Sequence, residues 1–176
     1  MNKKRISSSR IIHLAPNEVF VFGSNLQGVH GGGAARMAFE HFGAVWGEGV
    51  GLFGQSYAIP TMQGDVETIK PYVDDFLQFA RTHQELDFLV TEIGCGIAGF
   101  TPREIAPLFF EAIENDIRNV YLPESFYALW KGDFLVESYY KVCECGTLYP
   151  YTEAVCPICG SDTIKGNLSK NQSCNY

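Results

Sequence analysis

Six cysteines and eighteen glycines are the residues of this 176-residue sequence whose spacing suggests chemistry, and neither type is evenly spread. Five cysteines lie at or beyond Cys143, and four of these form two pairs, Cys143-Glu-Cys145-Gly146 and Cys156-Pro-Ile-Cys159-Gly160, ten residues apart. Thiolates so placed suit a tetrahedral zinc ion, and a glycine after each pair lets backbone N–H groups turn toward sulfur. Four protein ligands leave no open coordination position, so the expected zinc is structural and holds a segment too short to fold without it. Cys174 is left over.

Eleven glycines fall between Gly23 and Gly64, and three more sit at Gly94, Gly96 and Gly99. Gly23-Ser24-Asn25 follows the apolar run Glu18 to Phe22 and opens a loop that ends Gly31-Gly32-Gly33 before a helical stretch. Gly94 to Gly99 follows the apolar run ending at Ile93 and precedes Thr101-Pro102-Arg103-Glu104, a capping box with proline at the first helical position. A strand, a glycine loop and a helix start in that order offer free N–H groups to an anion, and absent side chains let a phosphate approach the main chain. Two such loops could clamp both sides of a diphosphate at the carboxyl ends of neighbouring strands. Gly94-x-Gly-x-x-Gly99 also spells the dinucleotide fingerprint, but here the helix begins after the third glycine rather than around it.

Among side chains able to do chemistry, Asn25 can orient a water or a hydroxyl, and His30 has the intrinsic pKa for acid–base work. These two are the candidate catalytic residues, with a solvent-facing loop histidine as the competing reading of His30. Glu48, Asp65 and Glu92 are loop or strand-end carboxylates within possible reach of a cleft. Cys95, wedged between glycines, reads as a packing residue rather than a nucleophile.

The elements that must position these residues follow from periodicity. Strands are expected at Glu18 to Phe22, Ser56 to Pro60, Leu86 to Ile93 and Asn119 to Leu122. Helices are expected at Ala34 to Phe42, Val66 to Ala80, Thr101 to Asn115 and Phe126 to Trp130. This alternation predicts an α/β domain over residues 11–132, preceded by a disordered basic, serine-rich lead-in over 1–10. The cysteine segment spans 139–165, and a polar, flexible tail spans 166–176. Gly43 to Gly54 has no evident physical role.

Taken together, Val19-Phe-Val-Phe-Gly-Ser-Asn25, Gly31-Gly-Gly-Ala-Ala-Arg36, Gly54-Gln-Ser-Tyr-Ala-Ile-Pro60 and Ile93-Gly-Cys-Gly-Ile-Ala-Gly-Phe100 resemble a macro domain. The resemblance is closest to a macro-domain-like group of bacteria and their phages, and it spans about Glu18 to Phe126. It implies a three-layer α/β/α fold around a mixed sheet, with a cleft for ADP-ribose or a related nucleotide. By that likeness Asn25 lies near the distal ribose, and Gly31, Gly32 and Gly33 line that ribose and the diphosphate. Gly94, Cys95, Gly96, Ile97, Ala98 and Gly99 wrap the diphosphate, while Gly23, Ser24 and Phe100 complete the ligand-binding motifs. Ala34, Ala35 and Ala98 stand where hydrolytic members carry acidic residues, so binding is expected to survive better than catalysis. The cysteine segment resembles a zinc ribbon.

A formal net charge of −7 argues against charge-driven grip on nucleic acid or anionic lipid. Arg36 is the only Lys or Arg between Ile11 and Ile69, so an anion held there must rest on backbone groups. No apolar run has the length of a membrane span, and no export signal is evident, which together point to the cytoplasm, or the host cytoplasm if phage-encoded. The sequence therefore predicts a binder of ADP-ribose or a related nucleotide diphosphate, with hydrolysis of an ADP-ribose derivative as a further step. The alternative is a non-catalytic interaction module whose ribbon recruits protein or nucleic acid. The ribbon carries Tyr139, Tyr140, Tyr149 and Tyr151 but no basic face, which favours a protein partner over nucleic acid.

Overall fold

The computed structural model describes residues 5–131 and 158–160, together with the backbone of 140–143, 148–150 and 164–166. Five strands form one mixed sheet: β1 (Glu18–Ser24), β2 (Gly51–Phe53), β3 (Ser56–Pro60), β4 (Asp87–Val90) and β5 (Val120–Tyr121), in the order β2-β3-β1-β4-β5. The β3, β1, β4 and β5 strands run parallel, and β2 returns antiparallel to β3. The α/β expectation holds.

Both faces of the sheet are covered, which explains the near-continuous apolar run of β1. Val19 and Val21 enter one core cluster with Phe88 and Val90, whereas Phe20 and Phe22 enter a second with Ala35, Ala38 and Phe42 of the other layer. That second layer is α1 (Gly33–His41). The first layer is led by α2 (Val66–Thr82), whose Ile69, Val73, Phe76, Leu77 and Ala80 are all buried. Asp65 caps α2 by accepting from the Thr68 N–H.

Three expectations change in detail. The single helix expected from Thr101 to Asn115 is divided into α3 (Pro102–Ile105), a 3₁₀ turn (Ala106–Phe109) and α4 (Phe110–Glu114). Pro107 has no N–H for the preceding turn, so the regular ladder cannot run through it. The strand expected from Leu86 to Ile93 stops at Val90, because Ile93 N–H turns back to the Thr91 carbonyl at 2.8 Å. The β2 strand was not anticipated, although Gly54-Gln55 between Phe53 and Ser56 forms the two-residue connection of a hairpin.

The lead-in is not disordered from Arg5 onward. Ile6 bridges Leu122 in parallel, Ser7 N–H donates to the Leu122 carbonyl at 2.9 Å, and Ser7 Oγ donates to the Val90 carbonyl at 2.6 Å. The reason is the free edge of β5, whose carbonyl and N–H groups would otherwise lack partners. Arg5 also pairs with Asp116 at 3.0 Å. The last helix is α5 (Glu124–Trp130), with Phe126 fully buried. No helix among the described residues is long and apolar enough to cross a membrane.

Farther along, β6 (Tyr140–Cys143), β7 (Leu148–Pro150) and β8 (Ile164–Gly166) form an antiparallel sheet in the order β7-β6-β8. Cys145 and Cys156 lie outside the described residues, as does the tail beyond Gly166.

Candidate functional site

Parallel strands release their chains at one end, and there the two glycine loops meet. A cavity of about 630 Å³ opens at the carboxyl ends of β1 and β4, within the size range of small-molecule sites. Gly23, Ser24, Asn25, Gly31, Gly32 and Gly33 line it from one side, and Gly94, Gly96, Ile97 and Ala98 from the other. The N-terminal segment contributes Ile6 to Ser9 and Ile11, and Thr61 and Met62 follow β3.

The main chain of the two loops explains why glycine and alanine occupy them. Within the second loop, Cys95, Gly99 and Phe100 donate their N–H groups to the carbonyls of Glu92, Gly96 and Gly94. The N–H groups of Gly96, Ile97 and Ala98 make no hydrogen bond among the described residues, and neither do those of Gly31, Gly32 and Gly33. All six of these residues line the one cavity, in two sets of three. Gly32 caps α1 with no side chain, and the first turn of α1 carries no acidic residue, so the positive end of its dipole is unopposed. Helix α3 differs. Its capping box is present, Glu104 accepts from Thr101 N–H at 2.8 Å, and the helix is only four residues long. The second loop therefore contributes its own N–H groups rather than a helix dipole.

The Gly43–Gly54 stretch has a physical role after all. A Cβ on Gly49 would overlap the Asn25 carbonyl oxygen, and one on Gly28 would overlap Gly47 and Glu48. Ser24 Oγ donates to the Gly49 carbonyl at 2.5 Å. The stretch packs backbone on backbone beneath the first loop and fixes its path.

Asn25 lines the cavity, but both ends of its amide are committed to the loop: Nδ2 donates to the Val29 carbonyl at 2.8 Å, and Oδ1 accepts from Val29 N–H at 3.0 Å. It shapes the loop. His30 does not line the cavity. The ring is 1% exposed and packs edge-on to Phe22 at 5.4 Å and Trp46 at 6.4 Å. Its Nε2 lies 3.0 Å from the Val45 carbonyl and 3.2 Å from that of Glu48, so the tautomer with the proton on Nε2 ties the second glycine stretch to the first. Neither the catalytic nor the solvent-facing reading of His30 matches this placement. Burial overrode the local polarity of its loop.

Cys95 points into the core at 3% exposure, and Gly99 and Phe100 also lie off the cavity wall. Burial raises the Cys95 thiol well above its ordinary pKa, and the carboxylates of Glu92 and Glu104 raise it further. Such a thiol holds its proton, in keeping with a packing role.

The residue that the geometry brings forward is Glu92. It lines the cavity at the turn that ends β4, and Ser125 Oγ of α5 donates to its Oε1 at 2.5 Å. Glu92 as a whole is half-buried, yet its Oε2 is sealed from solvent and has no hydrogen-bond partner among the described residues. Burial pushes its carboxyl from 4.5 up to about 7, while the Ser125 hydrogen bond works in the opposite direction. Position after an apolar strand marked Glu92 as a strand-end carboxylate, but its burial depends on α5, more than thirty residues away.

Of the four candidate zinc ligands, only Cys159 is described with its side chain, and it is exposed in the turn before Gly160. Gly160 takes φ +72°, the left-handed conformation expected of a glycine that turns N–H groups toward a thiolate pair. Among the described residues no group of three or more metal-binding side chains is found. Comparison of the whole chain with protein-family models, with characterised proteins and with solved structures returns no match.

Proposed function

We propose that this protein binds ADP-ribose or a related nucleotide diphosphate in the cleft between the Gly31–Gly33 and Gly94–Gly99 loops, in a fold of the macro-domain type. One observation carries the reading: six residues whose N–H groups have no partner among the described residues line a single cavity in two sets of three. A diphosphate is the ligand whose two phosphates suit two facing sets of backbone donors. Supporting this is the unopposed N-terminus of α1, which also lines the cavity through Gly33. Apolar and hydroxyl-bearing walls on either side, from Ile6, Ser7, Val90 and Pro123 to Thr61 and Met62, leave room for the nucleoside and the distal sugar.

The same geometry favours binding over turnover. Asn25 is committed to its loop, and His30 lies behind the wall. Hydrolysis is therefore not part of the proposal. Calorimetric titration with ADP-ribose tests it.

We further propose that Cys143, Cys145, Cys156 and Cys159 hold a structural zinc ion in a ribbon. The thiolate set suits zinc, and the antiparallel β7-β6-β8 sheet and the φ of Gly160 are consistent with a ribbon. The ion would supply folding energy, with no chemical step assigned to it.

A further inference from the structure

Glu92 and Glu124 are the only charged side chains among the described residues lining the cavity. A cleft suited to an anion thus carries acid and no base on its walls, and the two properties conflict unless one acid is neutral. Glu92 is the one built for neutrality. Its Oε2 is sealed and, among the described residues, unpartnered; its Oε1 accepts from the neutral Ser125, and no cation among the described residues acts on its titration. From the N-terminal segment Ser7 approaches the same end of β4, while Arg5 is held by Asp116 at 3.0 Å. From the second loop and α3 the neighbouring titratable groups are Cys95, itself buried, and Glu104, which is held in the Thr101 capping box. From α5, Ser125 brings a neutral hydroxyl to Glu92, and Glu124 lines the same cavity. A carboxylate at that position would be a buried charge without compensation, in the wall of the cavity that is to hold the anion.

We propose that Glu92 determines which ligands the cleft accepts: with its carboxyl neutral the cleft admits the anionic diphosphate, and with it ionised the cleft rejects anions while still admitting uncharged nucleosides. The inference rests on the binding reading above and adds a selectivity to it. Diphosphate entry is then linked to protonation of Glu92, at most one proton per ligand, taken from solvent. Burial sets the midpoint near neutrality, at about 7, so the linkage falls in a range that a cell can reach.

The test is calorimetric affinity for ADP-ribose and for adenosine between about pH 5.5 and 8.5, a window in which neither ligand changes charge. In the unaltered chain, affinity for ADP-ribose falls as pH rises through the midpoint, approaching a tenfold loss per pH unit for one linked proton. Binding above the midpoint also shows proton uptake when buffers of different ionisation enthalpy are compared. Glu92→Gln, which cannot ionise, gives an ADP-ribose affinity that does not vary with pH. Ser125→Ala removes the hydrogen bond that favours the ionised form, so the fall begins at higher pH. Adenosine shows no such profile in any of the three. The same pH profile in the unaltered chain and in Glu92→Gln overturns the selectivity and leaves the binding reading intact. Absence of ADP-ribose binding at every pH overturns the binding reading, and this inference with it.

Discussion

Gly32 and Ile97 meet across the cleft: a Cβ built on Gly32 would lie 3.1 Å from Ile97 Cδ1. The two glycine loops, more than sixty residues apart in sequence, therefore approach to side-chain contact at that point. Gly32 has an extended backbone at φ −155°, which any residue can adopt, so a side chain there meets no backbone strain. It meets only the tip of the Ile97 side chain and the cleft beyond. Gly32→Glu should thus leave thermal stability within a few degrees of the unaltered chain and reduce ADP-ribose affinity by about 100-fold or more, through occupied space and added negative charge. Paired calorimetry and thermal melts read both quantities.

His30 separates scaffold from chemistry. Removing its ring takes the side-chain donor from the Glu48 carbonyl, leaves the Val45 carbonyl with only the Glu48 N–H, and opens a void among Phe22, Phe39 and Trp46. His30→Ala should destabilise the fold by about 2–4 kcal/mol in denaturant titrations, the range for a buried aromatic truncation with lost hydrogen bonds. ADP-ribose affinity measured well below the melting temperature should change less than threefold. A large affinity loss with stability unchanged would contradict the structural role.

Gly49 makes a sharper claim about backbone contact. The Asn25 carbonyl oxygen occupies the space of its missing Cβ, and backbone cannot swing away as a side-chain tip can. Gly49→Ala should cost more than about 2 kcal/mol, whereas Gly47→Ala, with no atom near the added Cβ, should cost only its φ +93° strain of roughly 1 kcal/mol. Equal losses at the two positions in chemical denaturation would remove the packing account of this stretch.

Glu92 also predicts how stability depends on pH. Its carboxyl is raised from 4.5 to about 7 in the folded chain, so between those values the native state holds a proton that the unfolded state has released. Stability from this group is complete below 4.5 and is lost as pH rises to about 7, by roughly 2–4 kcal/mol from the size of the shift. Glu92→Gln should therefore be the more stable protein at pH 8, and its advantage should shrink steadily toward pH 4.5. Denaturant midpoints across that interval give the comparison.

For the cysteine segment, metal analysis of the purified chain should return about one zinc per chain. Cys156→Ser should lower that occupancy sharply while leaving the melting of the five-stranded-sheet fold in place.

How far the sequence anticipated this arrangement depended on whether a residue's role was local. The glycine loops were legible because strand, loop and helix start lie next to one another in the chain, and the Thr101–Glu104 capping box was read correctly for the same reason. The surroundings of His30 and Glu92 were not legible in the same way. Each sits beside glycines, and only distant elements decide its surroundings: Val45 and Trp46 enclose His30, while Ser125 covers Glu92. The docking of Ser7 was likewise hidden, since a serine-rich basic segment reads as solvated until the free edge of β5 is known. Asn119 shows the same limit. Its Nδ2 lies within 3.0 Å of the Ala80, His83 and Leu86 carbonyls and closes the α2–β4 turn, a role that no spacing in the sequence announces.

The central claim is that backbone N–H groups of two facing loops hold a nucleotide diphosphate, and titration of the full chain with ADP-ribose at about pH 6 tests it most directly. The account predicts saturable one-to-one binding in the micromolar range or tighter, abolished in both Gly32→Glu and Gly96→Glu. No heat and no thermal shift at millimolar ADP-ribose, or binding that both variants retain, would contradict it.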